Sequence, residues 1–160
     1  MEPPSNPTVT VLNNTGRRLL LEPIRRAVRV ALKRHGRETG LVNVLLTGDE
    51  EIQTLNKRFR SVDEPTDVLS FPGDGFPNAP LGDIAISVAY AERQAAARRV
   101  SLTQELAYLS IHGALHLVGL NDETEKDRAD MVSEMNSVAL DAGLKPDSNW
   151  HSLLHSGANR

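Results

Sequence analysis

Residues 112–122, HGALHLVGLND, set two histidines four apart and end on a glycine followed by polar positions. On a helix, residues four apart lie one above the other on the same face. His112 and His116 can therefore present two imidazole nitrogens to one ion at about 2.0–2.1 Å. Gly119 sits three residues after His116, where a glycine can take the left-handed conformation that ends a helix. The chain would then double back and bring Asn121, Asp122 or Glu123 beside the histidines. Two histidines and one aspartate, with a fourth position open, would suit a zinc-bound water. Zinc peptidases carry a glutamate directly after the first histidine; here that position is Gly113. A second pair, His151 and His155 in WHSLLH, has no helix stop or carboxylate turn nearby and reads as non-functional.

The elements that must position these residues are legible in the periodicity. TVTVLNN (8–14) and LVNVLLT (41–47) read as strands, as do DVLSFP (67–72) and LGDIAIS (81–87). From Leu20 to His35 the apolar positions fall at helical spacing, with Pro23 in the first turn and Gly36 as a stop. Asp49 is expected to cap a short helix over EEIQTLNKRF. Ser87 can cap a helix running to about Arg99, and Ser101 with Gln104 forms a capping box for a helix through Gly119. Residues 124–142 again show helical spacing. The loop GDGFPNAP between the third and fourth strands has a breaker composition. Strands come mainly first and helices mainly last, so the expected fold is α+β, close to α/β. It is a single domain, 1–145, with a mixed sheet of about four strands covered by helices and the metal site on a helix of the C-terminal half. Residues 146–160 are expected to form a polar, loosely held tail.

Composition narrows the class. With 160 residues, 39% hydrophobic and 24% charged, the chain fits one soluble domain. No run approaches the roughly 18 apolar residues of a membrane span, and the start MEPPSNPTV lacks the pattern of a secretory signal. The absence of cysteine rules out thiolate zinc sites and disulfides. These features favour the cytoplasm and no membrane partner. Net charge is −3, but residues 1–100 carry +2 and residues 101–160 carry −5. A local cationic surface facing RNA is therefore compatible with an acidic protein.

HGALHLVGLND resembles the signature HGxLHLxGYDH of the YbeY family of bacterial metal-dependent endoribonucleases. LNKRFRSVDEPTDVLSFP (55–72) is similar to that family's LNxxYRxxDxPTDVLSFP, and LGDIAIS (81–87) matches its LGDI segment. With the later helix carrying Met131, Glu134 and Met135, the resemblance spans roughly residues 8–143. It implies a single-strand-specific endoribonuclease acting in 16S ribosomal RNA 3′-end maturation and ribosome quality control. Implied partners are single-stranded RNA, ribosomal RNA, the small ribosomal subunit and ribosome-assembly proteins. The implied cofactor is one zinc ion held by three histidines. His112 and His116 match the first two; the third ligand position holds Asp122, preceded by Asn121. Carboxylate oxygen binds zinc at about 2.0–2.2 Å, so Asp122 can replace the histidine if its loop approaches more closely. Its charge would make the ion less electrophilic and leave a bound water with a higher pKa than in a three-histidine site. Oxygen ligation also widens the choice to other divalent metals, while two imidazoles still favour zinc.

Phosphodiester hydrolysis also needs positive charge on the non-bridging oxygens, which a guanidinium fork supplies. KRFR offers Lys57, Arg58 and Arg60, and the resemblance selects Arg60 as the catalytic arginine. Lys57 and Arg58 are candidates for contacting RNA, or else form a solvated helix end. Asp67, Ser70 and Asp83 are candidates for supporting the site or orienting a histidine. A stripe of Arg25, Arg29, Lys33 and Arg37 could track a phosphate backbone or form a solvated helix face. Only 4% of residues are aromatic, so recognition should rest on phosphates and shape rather than stacking. The nucleophile stays open between a metal-bound water and the RNA 2′-hydroxyl. Two rival readings remain: a metal peptidase, opposed by Gly113, and a non-catalytic RNA- or ribosome-binding factor with a degenerate metal site, supported by Asp122.

Overall fold

The computed structural model describes residues 6–75 and 79–151. The elements run β1 (Thr8–Asn13), α1 (Glu22–Arg34), β2 (Leu41–Thr47), α2 (Asp49–Arg60), β3 (Val68–Pro72), β4 (Gly82–Ser87), α3 (Val88–Arg98), α4 (Leu102–Leu117) and α5 (Glu125–Asp141). The strands form one mixed sheet in the order β1-β2-β4-β3, with β3 antiparallel to β4 and the other pairs parallel. This is the expected α+β domain.

Alternation along the strands divides the molecule into two unequal layers. Val42, Val44 and Leu46 of β2, with Ile84 and Ile86 of β4, face the main core, which α1, α4 and α5 complete. Leu45, Leu69, Phe71 and Ala85 point the other way, against Ile52 and Leu55 of α2. Helix α4 is buried all round from Glu105 to Leu115, the pattern of a helix enclosed on every side. It touches α1, α3, α5, β3 and β4, so the backbone that carries its histidines is held by the core, which also encloses His112. Leu109, Ile111 and Leu115 are fully buried, and truncating any one to alanine should cost about 2–5 kcal/mol.

Two expectations need correction. Asp49 is the first helical residue of α2, not its cap; Gly48 holds the N-cap position without a side-chain bond. The Asp49 carboxylate instead accepts the Ser87 hydroxyl at 2.7 Å and pairs with Arg93 at 2.9 Å. Helix α2 is thereby tied to the start of α3. The start of the tail is also docked rather than loose. Asp147 pairs with Arg98 at 2.6 Å, the Tyr108 hydroxyl donates to the Lys145 carbonyl at 2.8 Å, and Trp150 is buried. The remainder of the tail, 152–160, lies outside the described residues, as does His155 of the second histidine pair. Ser87 and Ser101 cap α3 and α4 as expected, accepting from the N–H groups of Tyr90 and Gln104.

Candidate metal centre

His112 and His116 lie one turn apart on α4, their Nε2 atoms 3.0 Å from each other. Past the end of α4, Gly119 adopts φ +104°, and the chain returns so that Asp122 Oδ2 stands 3.4 Å from His112 Nε2 and 3.5 Å from His116 Nε2. Among the described residues this is the one group of three or more potential ligands that converges, with all donor atoms within 4.8 Å of one another. A tetrahedron with bonds of about 2.0–2.1 Å has edges of about 3.3 Å. The three separations match that figure, so the donor set fits a small divalent ion before any rearrangement.

Several contacts hold the donors in place. Leu120 donates its N–H to the Leu115 carbonyl, and its own carbonyl accepts from His116 Nδ1 at 3.0 Å. With the proton on Nδ1, Nε2 presents its lone pair to the shared centre. Arg128 of α5 donates to the carbonyls of Asp122 and Glu123, both at 3.2 Å, pinning the returning turn. The Ser70 hydroxyl donates to the Gly113 carbonyl at 3.2 Å, tying β3 to the histidine helix. A Cβ at Gly113 would meet Ile84 Cγ2 at 2.9 Å and Ser70 Oγ at 3.1 Å. Glycine at 113 is thus a packing requirement of α4 against the sheet, and the peptidase glutamate has no room there.

The electrostatics favour the ligand-competent forms. The neighbouring imidazoles, His112 first, hold the Asp122 carboxyl well below the usual carboxylate range. Burial pushes His112 below the ordinary histidine value, only partly opposed by Asp122 and Asp67. At neutral pH the site therefore offers a carboxylate and a neutral buried imidazole.

The other candidate residues separate by location. Arg60 lines a cleft of about 360 Å³ together with Ser70, His112, His116, Asn121 and Asp122, and donates to the Ser70 carbonyl at 3.2 Å. Asp67 is buried at the head of β3, where its carboxylate accepts the Val68 N–H and the Thr66 hydroxyl and acts electrostatically on His112. Asp83 lies on the sheet face away from α4, bonded to Asn43 at 3.0 Å, and does not support the site. Lys57 and Arg58 face a different surface, with Lys57 3.7 Å from Asp63 and Arg58 over the Phe59 ring. The stripe on α1 is occupied at the far sheet edge: Arg25 and Arg29 donate to the Val9 and Pro7 carbonyls, and Lys33 to Asn6. A larger open groove along α5 includes His151 but none of the converging donors.

Sequence reasoning missed Leu120, Arg128 and Trp150. Leu120 acts through a backbone carbonyl, which no side-chain pattern announces. Arg128 sits in an ordinary charged helix turn, and Trp150 in a segment whose composition reads as tail.

Residues 12–142 match a family model described as Endoribonuclease YbeY. Proteins named Endoribonuclease YbeY are similar over most of their length. The one from Carboxydothermus hydrogenoformans is 40% identical over 77% of this chain and 85% of its own. That from Shouchella clausii is 36% identical over 83% and 94%. The solution structure of a Thermotoga maritima protein superposes with a TM-score of 0.62 and 28% identity, covering 84% of this chain and 89% of the other.

Proposed function

The chain belongs to the YbeY endoribonuclease family, and from that premise we propose a metal-dependent hydrolase that cuts single-stranded RNA in ribosomal RNA processing. The observation that carries the reading is the convergence of His112, His116 and Asp122 in the cleft that Arg60 also lines. In this proposal those three residues hold one zinc ion, chosen over harder cations by the two imidazoles. Once bound, the ion supplies Lewis acidity toward a phosphodiester and lowers the pKa of a water.

The chain's own residues divide the remaining work. Arg60 offers its guanidinium to the non-bridging oxygens of the scissile phosphate, where charge builds up in the transition state. Asp122 brings a negative charge where the resembling signature has a neutral imidazole, so more of the phosphate's charge must be met by Arg60. The Leu120 carbonyl fixes the tautomer of His116, and Asp67 bears electrostatically on His112. Ser70 holds β3 and α4 together beneath the cleft. The finer setting we propose is 3′-end maturation of 16S ribosomal RNA and ribosome quality control, in the cytoplasm, with the small ribosomal subunit as partner.

Neither rival is favoured. A peptidase would need a glutamate where Gly113 packs against Ile84 and Ser70. A degenerate site would not keep three donors at near-tetrahedral separations. The test is cleavage of a single-stranded RNA before and after chelation. The reading expects activity lost to chelator and regained with zinc; cleavage indifferent to chelator would contradict it.

A further inference from the structure

The docked segment that ends at Trp150 lies beyond the residues matched by the family, 12–142. Trp150 is 3% exposed, and its ring centroid is 5.2 Å from that of His112, tilted by 39°. The indole N–H donates to Glu105 Oε1 at 3.1 Å. Glu105 is fully buried on α4, seven residues and therefore about two turns before His112. The indole thus lies along the same helix that carries the histidine pair, fixed by its N–H and in ring contact at His112.

The anchoring of that indole is itself braced. Glu105 accepts from Gln94 at 2.8 Å and pairs with Arg98 at 2.5 Å. Arg98 reaches Asp147 at 2.6 Å with its other arm, and its guanidinium lies over the Trp150 ring at 5.9 Å. The Asn136 side chain accepts the Asp147 N–H at 2.6 Å and donates to the Asp147 carbonyl at 3.1 Å. An ion pair of this kind, with Glu105 fully enclosed, is geometrically exacting and costly to break from one side. It holds one short segment at one depth. His112 is 4% exposed, so its orientation is set by whatever packs against the ring.

We infer that Trp150 is a positioning residue for the metal centre: held in place by the docked segment 145–150, its indole packs against the His112 imidazole and fixes it in the orientation that meets His116 and Asp122. This rests on the reading of His112, His116 and Asp122 as metal ligands. A ring free to rotate about its side-chain bonds must be ordered when the ion binds, and that ordering lowers affinity. A ring already packed against the indole does not carry that cost, which is how groups outside the ligand set tune metal sites.

The chain contains a single tryptophan, so its intrinsic emission reports on this contact without any substitution. Zinc titrated into the metal-free wild type should change that emission, saturating at one equivalent, and the change should vanish in H112A. Zinc affinity, measured by competition with a chromophoric chelator, should fall by about tenfold or more in W150A and W150L. W150F, which keeps a flat ring, should stay close to the wild type. Circular dichroism of the metal-free variants identifies those that keep the fold; where W150A does not, W150L and the wild-type emission carry the test. Zinc uptake with unchanged tryptophan emission, or wild-type affinity in folded W150L, overturns the inference alone. A wild type that takes up no zinc overturns the metal reading and the inference with it.

Discussion

His112 and His116 face each other through their Nε2 atoms at 3.0 Å, both lining the cleft, the first ring buried and the second partly exposed. The two are equivalent as proposed ligands but not as parts of the fold. His112→Ala and His116→Ala should both abolish tight zinc binding. In the presence of chelator, His112→Ala should cost about 1–3 kcal/mol of stability and His116→Ala less than about 1 kcal/mol. Urea unfolding of both variants without metal checks the difference.

Gly113 lies where α4 comes closest to the sheet, and its missing side chain is what permits that approach. Gly113→Ala forces Ile84 or Ser70 to shift and should destabilise the chain by about 1–3 kcal/mol through overpacking. Because the histidines sit on either side of this contact along α4, zinc affinity should fall in the same variant. A thermal melt of the metal-free chain and a zinc competition assay measure the two effects separately.

Arg60 is exposed; among the described residues its guanidinium donates to the Ser70 carbonyl, a contact at the cleft rather than in the core. Arg60→Ala should therefore change stability by no more than about 0.5 kcal/mol and leave zinc affinity at the wild-type value. Its cleavage rate on single-stranded RNA should drop by about a hundredfold or more. Arg60→Lys should recover only part of the rate, since an ammonium lacks the planar fork.

Away from the site, Glu134 of α5 receives both arms of a forked contact from Arg34 at 3.0 Å and a bond from His35 at 2.7 Å. Arg34 first, then His35, lower its pKa, partly opposed by burial. A carboxyl depressed in the folded state adds stability that is fully present above its unfolded pKa, about 4.3, and is lost as pH falls through the folded value. Glu134→Gln should thus cost about 1 kcal/mol at pH 6–7. That difference from the wild type should shrink as unfolding is followed below pH 4.

Much of this was legible in the residue pattern. The strand positions of Leu41–Thr47 follow from alternation, and the caps at Ser87 and Ser101 from local chemistry that needs no tertiary partner. The histidine pair, the Gly119 turn and the returning Asp122 were readable because each depends on residues within one helix and one turn. What escaped depends on partners distant in sequence. Asp49 looks like a cap until Ser87, 38 residues on, takes its carboxylate. Trp150 looks like part of a polar tail until Glu105, 45 residues earlier, accepts its N–H. The basic stripe on α1 has the spacing of a phosphate track, yet the neighbouring edge strand uses Arg25 and Arg29.

The central claim is that Asp122 completes the metal centre. Zinc affinity and single-stranded RNA cleavage should be measured on the same preparations of wild type, Asp122→Ala and Asp122→His. The account predicts one zinc per wild-type chain, loss of tight zinc and of cleavage in Asp122→Ala, and recovery of both in Asp122→His. Wild-type zinc affinity together with undiminished cleavage in Asp122→Ala would contradict it.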